Sequence, residues 1–325
     1  MNSGKQRCSK RIESLDLAKG FGIVLVVVFH VMGAVADDYF FRPLLTSCFL
    51  AIFFMVSGML YHAEENTRVA FRKYAHRLLL PFALCYIATS VLLPLLLNAF
   101  HVKVVAHGLK SLYAFIISAP FTNFTLWFLL ALFLIYVIHV LALRIIRSQL
   151  LLLLLAILLG TIGFLRIEHG SFNLCFSNEA LFYYPYFVFG YCIRRQKDTF
   201  SWSPLKSLLA SAFFLVVDLI ASTWLAPHIP VPLSLPVIYL SGICGSLSIL
   251  LTSHAIRHLP LVNEWGRFSM LILCFHALFI PLLLRFLSPS FSHAAIMVAL
   301  IMLVFTLAIK LLKRYATFLS FHKPG

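Results

Sequence analysis

The feature that most constrains this chain is a series of long apolar runs, separated by short clusters that contain Lys, Arg or Pro. Hydrophobic residues make up 62% of the 325 residues and charged residues only 11%, whereas about 25% of an ordinary soluble domain is charged. A water-soluble fold cannot bury that much apolar surface. A lipid bilayer solvates it directly, and a spanning helix needs only about 20 mostly apolar residues. The sequence therefore predicts an all-α integral membrane protein.

About ten of the runs are candidates for membrane-spanning helices. They cover residues 19–36, 43–61, 77–98, 124–143, 149–165, 180–193, 206–226, 235–254, 268–287 and 292–312. The sixth run is short, and residues 99–123 favour a re-entrant or interfacial segment because their semi-apolar stretch is too short to span. We therefore expect a polytopic transmembrane helix bundle over 19–314, a cytoplasmic N-terminal segment over 1–18 and a cytoplasmic tail over 315–325.

The basic residues predict the orientation of this bundle. With the N-terminus in the cytoplasm, the segments on the cytoplasmic side hold 20 Lys and Arg and the opposite segments hold 5; Lys19, at the entry of the first helix, completes the 26. The excess alternates loop by loop, as the positive-inside rule requires, so both termini are expected on the cytoplasmic side. The net charge of +15 is then a consequence of topology and does not indicate a nucleic-acid partner. We expect no cleaved secretory signal, because the first run is long enough to span and lacks a cleavage site.

The cysteines are not arranged as a metal or redox site. There are seven, and they are scattered without a Cys-x-x-Cys pair. We interpret them as small hydrophobic residues of the bundle core, and we expect no metal.

The first predicted helix carries the most informative ionisable residues. Asp16 and Lys19 lie at its cytoplasmic end, and His30 follows eleven residues after Lys19. At 1.5 Å per residue this places the imidazole roughly 16 Å farther into the membrane, and at 100° per residue it shares one helix face with Lys19. A neutral imidazole tolerates the membrane interior and is the usual general base near neutral pH. A core histidine that bonds to a neighbouring helix explains the same residue equally well.

The pattern Asp16-x-x-Lys19-Gly20, followed by an apolar run and His30, resembles the first helix of membrane-bound acyltransferase family 3. Four further stretches resemble this family in the same order, so that the resemblance covers nearly the whole chain. They are IFFMVSGML from Ile52 to Leu60, FRKYAHRLLLPF from Phe71 to Phe82, LWFLLALFLIY from Leu126 to Tyr136, and WGRFSMLILCFHALF from Trp265 to Phe279. The match departs from the family pattern where Lys19 replaces a common Arg and where Lys73-x-x-x-Arg77 replaces Arg-x-x-Arg.

The resemblance implies a membrane O-acyltransferase that moves an acyl group, most often acetyl, from acyl-coenzyme A to a sugar hydroxyl of a surface glycan or its precursor. In this interpretation His30 is the base or the acylated nucleophile, with Lys19 and Asp16 as its catalytic partners. We place such a protein in the bacterial cytoplasmic (inner) membrane as a multi-pass protein, where lipids surround it.

The donor, acetyl-coenzyme A or another acyl-coenzyme A, is expected at the basic approach to the third helix. Its phosphates suit the bidentate geometry of Arg, and Ser57 could line a path for the pantetheine arm. The candidate donor-binding residues are Arg68, Arg72, Lys73, Arg77 and Ser57. The basic residues could equally attract anionic lipid heads, and Ser57 with Gly58 could be a close-packing site between helices.

Three residues are candidates for the pocket of the carbohydrate acceptor. Trp127 either lines this pocket or belongs to the aromatic belt at the membrane edge. Asp37, just past the first helix, either binds sugar hydroxyls or is a solvated loop residue. His276 matches the late histidine of the family, where packing or orienting is favoured over base chemistry. Asp218 lies inside a predicted span and has no role in the resemblance.

Two other classes of function stay open from the sequence. Ten helices with a few buried polar groups also describe a transporter or flippase of a glycan or small solute, although no internal duplication supports one. A degenerate family member that serves as a partner or sensor is the third possibility.

Overall fold

The structure is a computed structural model of the chain. It describes residues 12–36, 38–64, 66–95, 112–114, 116–118, 123–195, 202–231 and 233–321, with side chains as far as residue 315. No strand occurs among these residues. The described helices are α1 (Glu13–Val35), α2 (Arg42–Cys48), α3 (Ala51–Met59), α4 (Thr67–Tyr74), α5 (Leu80–Ile87), α6 (Trp127–Ile145), α7 (Gln149–Glu168), α8 (Ser177–Arg195), α9 (Pro204–Ile220), α10 (Leu235–Ile256), α11 (Pro260–Arg267), α12 (Ser269–Leu283) and α13 (Phe291–Phe321).

Eight helical segments within the described residues are long and apolar enough to cross a membrane. They are Glu13–Val35, Arg42–Met59, Thr67–Leu95, Phe124–Ile145, Gln149–Glu168, Pro204–His228, Leu235–Ile256 and Phe291–Tyr315. Several combine shorter elements: α4 and α5, for example, are joined by the π-helical turn Ala75–Leu79. The predicted transmembrane helix bundle is thereby confirmed as a fold class, while the number of spans and their orientation stay predictions.

The remaining two predicted spans correspond to helices of a different character. α8 has 19 residues, but polar side chains occupy both its ends, and Pro185 lies inside it. α11 and α12 pass the length and composition test only as a pair, and they meet at an angle of 86°. The predicted span 268–287 matches α12, whereas α11 was not predicted. The predicted re-entrant segment 99–123 lies mostly outside the described residues.

α1 is the central element of the bundle, because it contacts α2, α3, α10, α11, α12 and α13. Its contact with α11 depends on two glycines. A Cβ atom at Gly20 would overlap the carbonyl oxygen of Val262, and one at Gly266 would overlap the carbonyl oxygen of Asp16. The absence of side chains at these positions lets the two backbones touch, which fixes α11 across the beginning of α1.

α3 and α8 form a second contact of this kind. A Cβ atom at Gly58 would overlap the carbonyl oxygen of Phe187, and one at Gly190 would overlap that of Met55. Each helix thus offers a glycine to the backbone of the other, which is the geometry of small-residue contacts in membrane bundles. This arrangement supports the close-packing interpretation of Gly58.

The outer faces of α7 and α9 carry large apolar side chains that the rest of the bundle does not cover. Those of α7 are Leu150, Leu151, Leu154, Ile157 and Leu158, and those of α9 include Leu208, Leu209, Phe213, Val216 and Ile220. Apolar faces of this size would be costly in water, whereas lipid chains solvate them. These faces therefore mark the lipid-exposed side of the bundle.

Asp218 is a buried polar anchor between α2, α9 and α10. It is fully buried and accepts hydrogen bonds from Ser241 at 2.5 Å and from Ser47 at 3.1 Å. A Cβ atom at Gly245 would overlap its carboxylate, so this glycine lets the side chain approach α10. Two hydroxyl donors offset part of the cost of burying the carboxyl group.

Candidate active site

A cavity of about 390 Å³ opens near the beginning of α1 and is walled by α1, α3, α6, α12 and the segment from α4 to α5. Four of its lining side chains are cationic, namely Lys19, Lys73, Arg77 and Arg267. None of its described lining residues is Asp or Glu. Cations from four separate elements thus converge on one concave surface, and such a surface attracts a multiply charged anion.

Asp16 positions two of these cations. Its carboxylate lies 2.9 Å from the Nζ atom of Lys19 and 3.5 Å from the Nε atom of Arg267, and the residue is only 4% exposed. Because α11 packs directly on the backbone of α1, Arg267 is held at the same mouth as Lys19. Asp16 lies fourteen residues before His30 in the same helix, which is about 21 Å along the helix axis. It is therefore too far from His30 to contact it, and its partners are the cations at the mouth.

Lys73 and Arg77 approach the cavity from the opposite wall. The Nζ atom of Lys73 lies 2.5 Å from a carboxylate oxygen of Glu64, which offsets part of its charge. Arg77 lies in the π-helical turn Ala75–Leu79, where the helix phase shifts relative to an α-helix. Between them, the ring of Tyr74 stacks on that of Tyr136 with centroids 3.9 Å apart.

The other predicted donor-binding residues divide into two groups. Ser57 lines the cavity, and its carbonyl oxygen accepts a hydrogen bond from the hydroxyl of Tyr136 at 3.5 Å. Arg68 and Arg72 are exposed side chains of α4 that do not line the cavity. The structure therefore brings Ser57, Lys73 and Arg77 together and leaves Arg68 and Arg72 outside.

His30 and His276 form a pair deeper in the bundle. Their rings meet edge to face with centroids 4.9 Å apart. The Nδ1 atom of His30 lies 2.8 Å from the carbonyl oxygen of Val26, and that of His276 lies 3.0 Å from the carbonyl oxygens of Ile272 and Leu273. A carbonyl only accepts, so in the neutral rings each Nδ1 carries the proton and each Nε2 carries a free lone pair.

The two histidines differ in their exposure. His276 is fully buried, and its Nε2 atom has no hydrogen-bond partner among the described residues. His30 is partly exposed. A ligand can therefore reach His30 more readily than His276, which suits His30 to chemistry and His276 to orienting it.

The cationic cavity and this pair share helix α12. Its inner wall includes Phe53 and Leu273, but not His30. The carbonyl oxygen of Leu273 is itself a hydrogen-bond acceptor for His276, and the two residues are about one helical turn apart. Leu273 thus links the cavity lining to the histidine pair, whereas Phe53 lies beside Gly22, eight residues before His30 in α1.

Comparison with protein families identifies the family of the chain. Residues 12–314 match the family model of the acyltransferase 3 group, described as an acyltransferase domain. The chain belongs to acyltransferase family 3. The resemblance seen in the sequence is confirmed, and the protein is a membrane acyltransferase. No curated protein and no solved structure gives a significant match to the chain.

Trp127 and Asp37 are two of the residues predicted for the acceptor pocket of this acyltransferase. The ring of Trp127 packs among those of Phe124, Phe128, Phe176 and Tyr183, and Trp127 does not line the cavity. Phe128 does line the cavity, and the ring of Trp127 contacts the ring of Phe128. Asp37 lies outside the described residues.

Two cavity residues of the acyltransferase were missed in the sequence. Arg267 was counted only as a cytoplasmic charge, because hydropathy does not reveal the bend between α11 and α12. The sequence signal for Arg267 is its position next to Gly266 in the stretch from Trp265 to Phe279 that resembles the family. His62 lines the mouth but lies in a loop, where no periodicity indicates direction.

The described part of the acyltransferase holds no group of three His, Cys, Asp or Glu residues that could bind a metal ion. Its six described cysteines are free. The site consists of four cations, His62 and Ser57 in the lining of the cavity, and the pair of His30 and His276 beyond it.

Proposed function

We propose that the acyltransferase moves an acetyl group from acetyl-coenzyme A to a sugar hydroxyl of a surface glycan or its precursor, with the cationic mouth facing the cytoplasm of a bacterium. The observation that carries this proposal is the convergence of four cations on a cavity whose lining residue Leu273 bonds through its carbonyl oxygen to His276, the partner of His30. Coenzyme A carries several phosphate charges at one end and its thioester at the other. The site has the same polarity, with cations outside and imidazoles inside.

In this proposal Lys19, Arg77 and Arg267 bind the phosphates of the donor. Each charge-assisted hydrogen bond contributes about 1.5–3 kcal/mol, and Arg adds bidentate geometry. Lys73 contributes less, because Glu64 already accepts from it. The pantetheine arm passes Ser57 and Tyr136 and extends between the apolar walls toward Leu273.

The thioester must then pass the wall formed by Phe53 and Leu273 to reach His30. His30 lies eleven residues, about 16 Å, beyond Lys19 along α1, so the donor would be held along the helix axis. Side-chain rotation at the inner end of the cavity is part of this mechanism, because His30 does not line the cavity itself.

The chemical step proposed for His30 is general base catalysis. Its Nε2 atom takes the proton of the acceptor hydroxyl while the hydroxyl oxygen attacks the thioester carbonyl carbon. The new ester C–O bond forms, the C–S bond breaks, and the protonated His30 gives its proton to the leaving thiolate, so that coenzyme A departs as the thiol and the imidazole is again neutral. His276 holds the His30 ring edge to face and is a positioning residue.

An assay with the purified protein distinguishes this function from that of a carrier. The protein, reconstituted in lipid nanodiscs, is incubated with acetyl-coenzyme A labelled in the acetyl group, with and without cell-surface polysaccharide. We expect release of free coenzyme A and ester-linked label on the polysaccharide. Intact acetyl-coenzyme A, together with solute flux in proteoliposomes, would instead indicate a transporter. In cells, loss of the protein should remove O-acetyl groups from the surface polysaccharide.

A further inference from the structure

A second concave surface, here called the outer concavity, lies at the opposite end of α1. It has a volume of about 400 Å³ and is formed by the link between α1 and α2 and by the chain that follows α9. α1 ends at Val35 and α9 ends at Ile220, so the concavity joins the far ends of two helices. The cationic cavity lies at the other end of α1, beside Lys19.

Two aromatic rings dominate the outer concavity. Phe40 is 78% exposed and Trp224 is 68% exposed, although both are large apolar side chains. Aromatic residues at this depth often contact lipid headgroups, so their exposure alone does not identify a ligand. The polar groups beside them make that distinction.

The polar groups of the outer concavity are mainly hydrogen-bond acceptors. Asp38 is exposed and forms no ion pair among the described residues. The Nδ1 atom of His228 lies 2.6 Å from the carbonyl oxygen of Trp224, so in the neutral ring the Nε2 atom is left as an acceptor. The hydroxyl of Tyr39 is buried and has no hydrogen-bond partner among the described residues, so it is not one of the exposed acceptors.

The charge of the outer concavity argues against a lipid phosphate. Its described lining contains the carboxylate of Asp38 and no Lys or Arg; Arg42 lies outside the lining, although its charge acts on Tyr39. An anionic headgroup would meet a like charge there. An uncharged ring with several hydroxyl donors and an apolar face complements both the acceptors and the aromatic rings.

We propose that the outer concavity is a subsite for the carbohydrate acceptor, in which an uncharged sugar ring stacks on Trp224 and donates hydrogen bonds to Asp38 and His228. This inference rests on the proposed function, since it supplies the acceptor for the same transfer. The subsite would bind a sugar unit other than the one that reacts, and this contact would raise the affinity of the protein for the acceptor.

The test is saccharide binding to the full-length protein in phosphatidylcholine nanodiscs. Saturation-transfer NMR is recorded with neutral oligosaccharides of glucose, galactose and N-acetylglucosamine. Trp224→Ala and Asp38→Asn are compared with the wild type. Trp202→Ala is the matched control, because Trp202 is 46% exposed just before the other end of α9. We expect at least one oligosaccharide to bind, with about fivefold weaker binding in both test variants and wild-type binding in the control.

Three results would overturn the subsite: no oligosaccharide binding to the wild type, equal binding by all variants, or displacement of the saccharide by phosphatidylglycerol. Asp38→Asn keeps the test decisive if Trp224→Ala does not fold, because Asp38 is an exposed loop residue. Turnover of acetyl-coenzyme A by the same wild-type preparation separates the two proposals. Turnover without saccharide binding rejects the subsite alone, whereas saccharide binding with inert acetyl-coenzyme A rejects the proposed function.

Discussion

The rings of His30 and His276 meet edge to face, and the Nδ1 atom of each forms a hydrogen bond with a carbonyl oxygen of its own helix. This geometry leaves two basic Nε2 atoms in one part of the bundle. Because His276 is fully buried and His30 is partly exposed, the pair contains one accessible base and one supporting ring. The predictions below depend on this division and on the cationic mouth.

Replacing His276 should lower the turnover rate more than donor affinity. His276→Phe keeps an aromatic ring beside His30 but removes the nitrogen atoms, and we expect kcat to fall about tenfold to a hundredfold with a donor KM within about twofold. Steady-state kinetics measure both quantities. His139→Phe is the matched control, because His139 is another fully buried histidine with an unpartnered Nε2 atom, within an aromatic cluster. Equal losses in both variants would show that His276 acts only in packing.

Arg267, at the end of α11, should contribute to donor affinity because it lines the cavity. Loss of one charge-assisted contact of about 1.5 kcal/mol corresponds to roughly a tenfold higher KM for acetyl-coenzyme A in Arg267→Ala. Arg267→Lys should recover part of this loss, since it keeps the charge but not the planar fork. Arg147→Ala, at an exposed loop position, is the control. An unchanged KM in Arg267→Ala would remove Arg267 from the donor site.

The arginines of the basic segment before α5 should differ in their effect on donor affinity. Arg77→Ala should raise the donor KM several-fold, whereas Arg68→Ala and Arg72→Ala should have smaller effects, because Arg77 is the one of these three arginines that lines the cavity. The measurement is donor KM at two ionic strengths, since exposed charges act mainly through screened attraction. A larger effect at Arg68 or Arg72 would mean that the phosphates bind on the exposed face of α4.

The contact between α3 and α8 should tolerate no added side chain. Gly58→Ala places a methyl group on the backbone of Phe187, and we expect destabilisation of about 1–3 kcal/mol, seen as a lower thermal midpoint in detergent. Gly33→Ala is the control, because a Cβ atom there meets nothing within 4 Å. A midpoint for Gly58→Ala equal to that of the control would contradict the close packing.

Hydropathy and charge were sufficient to predict the helical membrane bundle, and the family motifs were sufficient to predict the acyltransferase family. α1 is one continuous helix from Glu13 to Val35, so the spacing of Lys19 and His30 in the sequence corresponds to a distance along its axis. Similarly, Gly58 was open to a close-packing interpretation because glycine within an apolar run has few other uses.

What the sequence did not predict depends on bends and helix phase. The 86° angle between α11 and α12 places Arg267 at the mouth, and no local pattern encodes that angle. The π-helical turn at Ala75–Leu79 changes the phase of Arg77 relative to Arg68, Arg72 and Lys73 in α4, so α-helical periodicity does not predict that Arg77 shares the cavity with Lys73. The apolar wall between the cavity and His30 likewise depends on side-chain packing between distant helices.

The most direct test of the account is acetyl transfer by His30→Gln, with donor binding measured on the same preparation. Glutamine keeps a polar side chain on α1 but cannot serve as a base at neutral pH. We expect acetyl-coenzyme A to bind with a Kd within about threefold of wild type while transfer falls at least about a hundredfold. A folded His30→Gln protein that transfers acetyl groups at the wild-type rate would contradict the central role assigned to His30.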